Sequence, residues 1–341
     1  MIVFPQLGIT LPVLAAPMAG GPTSAAMVTA AGRAGSLGMV AAGYKSPQLL
    51  EEQIRLVRAD SIPFGVNVFA PNPLPVDPEL YRRYAAEIQR DAVRFGVTLP
   101  AEPIEDTDIF EDKIRLLLED PVPLVSFTFG IPSQRVIAAL KAAGTVVVQT
   151  VTNPAEAMAA RDVGVDALAV QAHTAGGHSG TLSPARPLAS TPITTLVSDI
   201  TRAVELPVIA GGGLATPRDV ADVVHAGAAA AVVGTVLLRA TESGASATHQ
   251  AALIDPARTE TVLTRAFTGR PARGLRNTFI DTHEADAPLG YPAIHHLTSP
   301  LRKAAAAAGQ PDFVHLWAGT GYRHAAAEPT ADILQRLASG L

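Results

Sequence analysis

Residues 170–180 read VQAHTAGGHSG and gather two histidines and a glutamine on one glycine-rich turn. Gln171, His173 and His178 alternate there with Gly176, Gly177 and Gly180. Histidine titrates nearest neutrality of the ordinary side chains, so it can take or give a proton at physiological pH. Glycine permits positive φ and lets a ligand come close to the main chain. A histidine on such a turn suits acid–base chemistry on a flat or phosphorylated ligand. The competing reading is a surface turn with two solvated histidines.

A second group of residues suits anion binding. Gly211-Gly212-Gly213 follows the apolar PVIA directly and precedes Thr216-Pro217, a capping residue before proline at a first helical position. Backbone N–H groups in such a turn, next to a helix N-terminus, bind anions. Gly234-Thr235 adds a second turn and a hydroxyl. The triplet is not the dinucleotide fingerprint, because Thr216 stands where its last glycine would fall. The pattern points to a mononucleotide such as FMN rather than a Rossmann-bound NAD. The plainer alternative is that these glycines only let strands pack tightly.

The elements that must carry these turns are eight apolar runs, at 13–18, 37–43, 64–70, 124–130, 145–151, 167–173, 207–213 and 230–238. Continuous rather than alternating apolar runs indicate parallel strands buried on both faces. Helix-like segments lie between most of them, at 24–33, 48–59, 133–143, 154–163, 191–204 and 217–226. Asn153-Pro154 and Thr216-Pro217 are helix starts, and Gly35, Gly144, Gly164 and Gly227 are helix stops. Strand–helix repetition of this kind predicts an α/β fold, a (β/α)8 TIM barrel, with an open doubly wound sheet as its rival.

Two segments interrupt the repeat. Residues 71–120 read as an insertion after strand three: a loop, one helix at 79–95 and a polar connector. Residues 241–302 read as a small α+β cap domain after strand eight, with a helix at 245–253 and a strand at 260–267. The barrel would then comprise 1–240 and 303–341, with 303–309 and the helix at 331–337 returning to its wall.

In such barrels the site lies at the C-terminal ends of the strands, and phosphate is commonly held after strands seven and eight. Polar or unusual residues fall there: Met18 within PMAGG on strand one, Asn67 on strand three, Gln149 on strand five, and the turn to His178 after strand six. Taken singly, an Asn or Gln inside a strand is often a satisfied core group. The formal charge of -5, with scattered basic residues, argues against a nucleic-acid or anionic-membrane surface. No cysteine is present, which removes thiolate ligands and a thiol nucleophile. The first basic residue is Arg33, so the apolar N-terminus lacks the positive region of a signal peptide, and a soluble cytoplasmic protein is expected. HEAD at 283–286 lacks the second histidine of a zinc-protease helix, and His295-His296 are adjacent, so metal binding is not expected. His225 reads as a packing or surface residue.

These pieces together resemble the nitronate monooxygenases, formerly 2-nitropropane dioxygenases. The matching segments are APMAGGPT at 16–23, FGVNVFAP at 64–71, SFTFGIP at 126–132, QAHTAGGHSG at 171–180, IAGGGLATPRDV at 209–220 and GTVLLRATESGAS at 234–246. FTGRPARGLRN at 267–277 and LWAGTGYR at 316–323 resemble the closing segments of the family. The resemblance implies noncovalent FMN, with Met18, Asn67, Gln171 and Gly176 near the flavin ring. It implies Gly212, Gly213, Gly234 and Thr235 around the phosphate, and His178 as the active-site histidine. It further implies oxidation of a small nitronate or nitroalkane by O2 to a carbonyl compound and nitrite, with propionate 3-nitronate as the expected substrate. Thr174, Ser179 and Val232 depart from the family pattern, which usually has an acidic residue, an arginine and a glutamine there. The AGGH segment is shared with flavin-dependent reductases of quinones and enoyl thioesters, the second enzyme reading. A non-catalytic flavin-binding barrel is the third.

Overall fold

The computed structural model describes residues 4–341. The first six strands are β1 (Val13–Ala15), β2 (Gly38–Ala41), β3 (Phe64–Ala70), β4 (Leu124–Phe129), β5 (Val146–Val151) and β6 (Ala167–Gln171). Then come the short β7 (Gly177–His178), β8 (Val208–Gly211) and β9 (Ala230–Val233). All but β7 run parallel in the order β1-β2-β3-β4-β5-β6-β8-β9. β9 pairs back on β1, with Val13 opposite Ala231 and Ala15 opposite Val233. That pairing closes a (β/α)8 barrel and excludes the open sheet.

The helices are α1 (Ala25–Arg33), α2 (Pro47–Arg58), α3 (Pro78–Arg94), α4 (Phe110–Glu119), α5 (Gln134–Ala142) and α6 (Pro154–Asp162). They continue with α7 (Ile193–Ala203), α8 (Pro217–His225), α9 (Ala247–Ile254), α10 (Thr278–His283), α11 (Ala293–Ala307) and α12 (Thr330–Ala338). Local chemistry sets their ends. The Asn153 side chain accepts from Glu156 N at the start of α6, and Thr216 and Asp219 form a reciprocal capping box on α8. Gly35, Gly144, Gly164 and Gly227 follow four of the helices at φ between 81° and 112°. No helix among the described residues is long and apolar enough to cross a membrane.

Successive strand residues face opposite sides. Leu14, Met39, Leu124, Val148 and Ile209 form one core cluster inside the barrel, while Val13, Val40, Val66, Val125 and Ala210 join the helices in another.

Four expectations change. The polar connector ends in a helix, α4, whose buried Phe110, Ile114 and Leu117 belong to the barrel core. The run at 230–238 is a strand only to Val233, because the backbone turns at Gly234 into a 3-10 turn over Thr235–Leu237. Residues 241–302 hold more than a helix and a strand. β10 (Thr261–Thr264) and β11 (Ala272–Leu275) form a sheet with β7 in the order β10-β11-β7, so the strand carrying His178 leaves the barrel for the cap. Finally, α11 runs unbroken across residue 303, and Ala305 buries with Leu297, Leu301 and Tyr84 in a second core cluster rather than in the barrel wall. α12 does return to the barrel, through Ile333, Leu334 and Leu337.

Candidate active site

A cavity of about 570 Å³ opens at the C-terminal ends of the barrel strands, floored by Leu14, Met39, Leu124 and Ile209. The nine residues expected to hold the flavin or act on the substrate all line it. Met18 comes from the end of β1 and Asn67 from β3; Gln171 and Gly176 come from the end of β6, and His178 from β7. Gly212 and Gly213 follow β8, and Gly234 and Thr235 follow β9. Among the described residues no Asp or Glu lines it, whereas Arg302 and Lys303 do.

The two glycine turns leave donors free. The amides of Gly212, Gly213, Gly234 and Thr235 have no acceptor among the described residues. Gly212 and Gly213 sit at φ 125° and 77°, and a Cβ on Gly213 would lie 2.7 Å from Thr320 Oγ1. Thr235 Oγ1 accepts from Gly319 N at 2.9 Å, which leaves its own proton to donate. Thr174 Oγ1 donates to the Gly212 carbonyl at 2.9 Å, tying the histidine turn to the anion turn. Val232 reaches the cavity wall beside Gly211, and Ser179 is buried, with Oγ accepting from Thr181 N at 3.3 Å.

Asn67 Nδ2 donates to Ser126 Oγ at 2.9 Å and to Thr128 Oγ1 at 3.1 Å, a fixed orientation within β3 and β4. Gln171 closes its own turn: Nε2 donates to His178 O at 3.1 Å and Oε1 accepts from Gly180 N at 2.6 Å. Met18 Sδ would lie 3.5 Å from a Cβ on Gly234, so it packs over that turn. Gln149 is wholly buried and donates to Gly130 and Thr150 carbonyls, which makes it a core group. His173 does not line the cavity; its carbonyl accepts from Arg273 Nε at 2.8 Å. His283 pairs with Asp91 and His296 with Asp106, each at 2.7 Å, and His225 Nδ1 lies 2.8 Å from the Ala221 carbonyl on its own helix.

His178 stands among Phe129, Tyr291 and Trp317, with ring centroids 5.7, 5.6 and 5.5 Å away. Burial pushes its imidazole down to about 3, and the Arg270 and Arg302 charges push the same way. It is therefore neutral at pH 7. Arg270 is fully buried without an acidic partner among the described residues; it donates instead to the Ser179 and Thr181 carbonyls. Arg302 donates from Nε to Thr298 Oγ1 at 2.9 Å and from Nη2 to the His295 carbonyl at 2.8 Å. Tyr291 donates to Tyr44 at 3.2 Å, and Tyr44, which lines the cavity, stacks on His295 at 4.3 Å. Tyr44 is 37% exposed, but desolvation at its hydroxyl raises that group to about 12, so it stays protonated.

Thr268, Arg270, Tyr291, Arg302 and Trp317 carry no role in the sequence reading. Thr268, Arg270 and Trp317 lie in the two closing segments at 267–277 and 316–323, where the family likeness was the only signal.

The nitronate monooxygenase family model matches residues 5–340. A probable nitronate monooxygenase of Staphylococcus aureus strain Newman is 36% identical over 97% of this chain and 94% of its own. The structure of nitroalkane oxidase from Streptomyces ansochromogenes superimposes with a TM-score of 0.93 at 42% identity, covering 98% of this chain and 96% of that one. FabK from Thermotoga maritima shares the fold, with a TM-score of 0.76 at 24% identity over 98% of this chain and 94% of that one. Likeness along the whole length, on a closed barrel, shows that this chain is an oxidoreductase belonging to the nitronate monooxygenase family.

Proposed function

We propose that this enzyme oxidises small alkyl nitronates, and the nitroalkanes that give rise to them, with O2 to a carbonyl compound and nitrite. FMN is the cofactor of this reading, and propionate 3-nitronate the substrate suggested by family resemblance. The observation that carries it is one cavity combining a neutral histidine, four backbone amides without an acceptor and no carboxylate among the described residues.

The residues suit the cofactor. The amides of Gly212, Gly213, Gly234 and Thr235, with the Thr235 hydroxyl, match a phosphate's need for several donors. Met18, Asn67, Gln171 and Gly176 would border the flavin ring. When bound, FMN supplies the electron chemistry that links substrate to O2. The chain supplies binding, orientation and charge. Arg302 and Lys303 favour an anion in the cavity, as a nitronate is. The neutral His178 can accept the α-proton of a nitroalkane, whereas a nitronate has already lost that proton. Phe129, Tyr291 and Trp317 flank the imidazole.

The test is anaerobic mixing of the flavin-loaded protein with a nitronate, and separately with NADH and NADPH. The expected result is loss of the yellow absorbance with the nitronate and little change with either nicotinamide. Fast bleaching by NADPH without a response to nitronate overturns the reading in favour of a quinone or enoyl-thioester reductase. A flavin that responds to neither leaves a non-catalytic flavin-binding barrel.

A further inference from the structure

One side chain touches the imidazole of His178 by hydrogen bond. Nε2 lies 2.9 Å from Thr268 Oγ1, and the same hydroxyl lies 3.3 Å from the Arg270 carbonyl oxygen. Thr268 is 1% exposed and Arg270 0%, so bulk water serves neither oxygen. A hydroxyl carries one proton, and a carbonyl can only accept. The Arg270 carbonyl has no other donor among the described residues.

The direction of the proton follows. If the hydroxyl donated to Nε2, a buried carbonyl would be left unsatisfied and would face a second oxygen lone pair. If it donates to the carbonyl, both contacts are hydrogen bonds, and Nε2 must carry the proton that Thr268 accepts. The other nitrogen, Nδ1, has no partner among the described residues, and its side chain lines the cavity. The backbone is fixed as well, because His178 stands opposite Ala272 in the pairing of β7 with β11.

We propose that Thr268 is a positioning residue that holds His178 in its Nε2–H tautomer, leaving Nδ1 as the nitrogen presented to substrate. The inference deepens the proposed function, and its catalytic consequence rests on that reading; the tautomer itself does not. In the step it serves, the α-proton of a nitroalkane passes to Nδ1 and the C–H electron pair stays on the substrate as nitronate. The resulting imidazolium still donates from Nε2 to Thr268.

The experiment is ¹⁵N NMR of the histidine-labelled holoenzyme near neutral pH, with His178→Asn used to assign the signal. The expected spectrum shows a protonated Nε2 and an unprotonated Nδ1. Thr268→Val should mix or invert the two nitrogens, and Thr268→Ser should restore them. In parallel, Thr268→Val should lower kcat/KM on neutral nitroethane by about tenfold to a hundredfold, more than on ethyl nitronate, with Thr268→Ser recovering most of it. A protonated Nδ1 in the wild type, or an unaltered spectrum in Thr268→Val, overturns the assignment, and the wild-type spectrum alone suffices if the variant does not fold. A wild-type nitroethane rate for His178→Asn would instead overturn the base role of His178, while the spectrum still decides Thr268.

Discussion

The guanidinium of Arg270 lies 4.1 Å from the centroid of the Phe129 ring, and Phe129 holds a left-handed backbone at φ 81° beneath it. A bulky residue is rarely found there, and such strain persists only where the surroundings enforce it. Arg270 joins three parts of the site: the end of β4, the loop after His178 and the turn at Thr268. Its two donations to buried carbonyls are each worth about 1.5–3 kcal/mol. Arg270→Met should therefore destabilise the protein by roughly 3 kcal/mol or more. Urea unfolding measures this directly, and a loss below about 1 kcal/mol would mean the two carbonyls find other donors.

The anion turn makes a separate prediction. The purified protein should be yellow and release FMN, not FAD, on denaturation. Gly213→Val would place a Cβ near Thr320 and Thr174 at a φ of 77°. A left-handed L-residue costs about 1–2 kcal/mol, and the added methyls would crowd the amides meant for phosphate. FMN affinity should fall by about tenfold or more while the circular dichroism of the barrel is retained. Full flavin occupancy in this variant would remove Gly213 from the phosphate site.

Stability should fall on mild acidification. Burial holds His178 at about 3 and His249 at about 4, and it pushes His295 and His315 well below the usual range too. Above an unfolded pKa of about 6.5 both states are neutral, and these groups give no pH dependence. Below it the unfolded chain binds protons that the folded chain refuses, so stability drops as pH falls toward the folded values. The loss should reach at least about 2 kcal/mol between pH 7 and pH 5, read from urea midpoints. A midpoint constant over that interval would show that these imidazoles protonate in place.

Much of this was legible because it is local. The apolar runs, the caps at Asn153 and Thr216, and the glycines after four helices act within a few residues of one another. The nine cavity residues were legible because a barrel brings the ends of its strands together. Helix α4 was hidden by the acidic stretch before it, although Phe110, Ile114 and Leu117 carry a helical period. Thr268 and Arg270 were not legible as partners of the histidine turn, since their contacts span about ninety residues of chain. No spacing in the sequence encodes them; they depend on β7 leaving the barrel to pair with β11.

The last prediction concerns what His178 does. Held near 3, the imidazole stays neutral across ordinary pH, so it is free to accept a proton and is not a standing cation. The fixed positive charge beside it belongs to Arg270 and Arg302 instead. A base is needed only when the substrate still carries its α-proton. His178→Asn should keep FMN and fold, because the side chain is small enough for the turn and the pairing with Ala272 is made by backbone. It should lose about 10²–10⁴-fold on a nitroalkane and much less on the corresponding nitronate. In the wild type, kcat/KM for the nitroalkane should show no acid limb from this group between about pH 5 and pH 8, since the fraction of neutral imidazole barely changes there. His173→Asn is the control: it lies off the cavity and should change either rate far less. If His178→Asn lost both activities equally, the imidazole would be acting on the nitronate or on oxygen reduction as an N–H donor. Near wild-type rates on both substrates would leave it as a turn residue without a catalytic part.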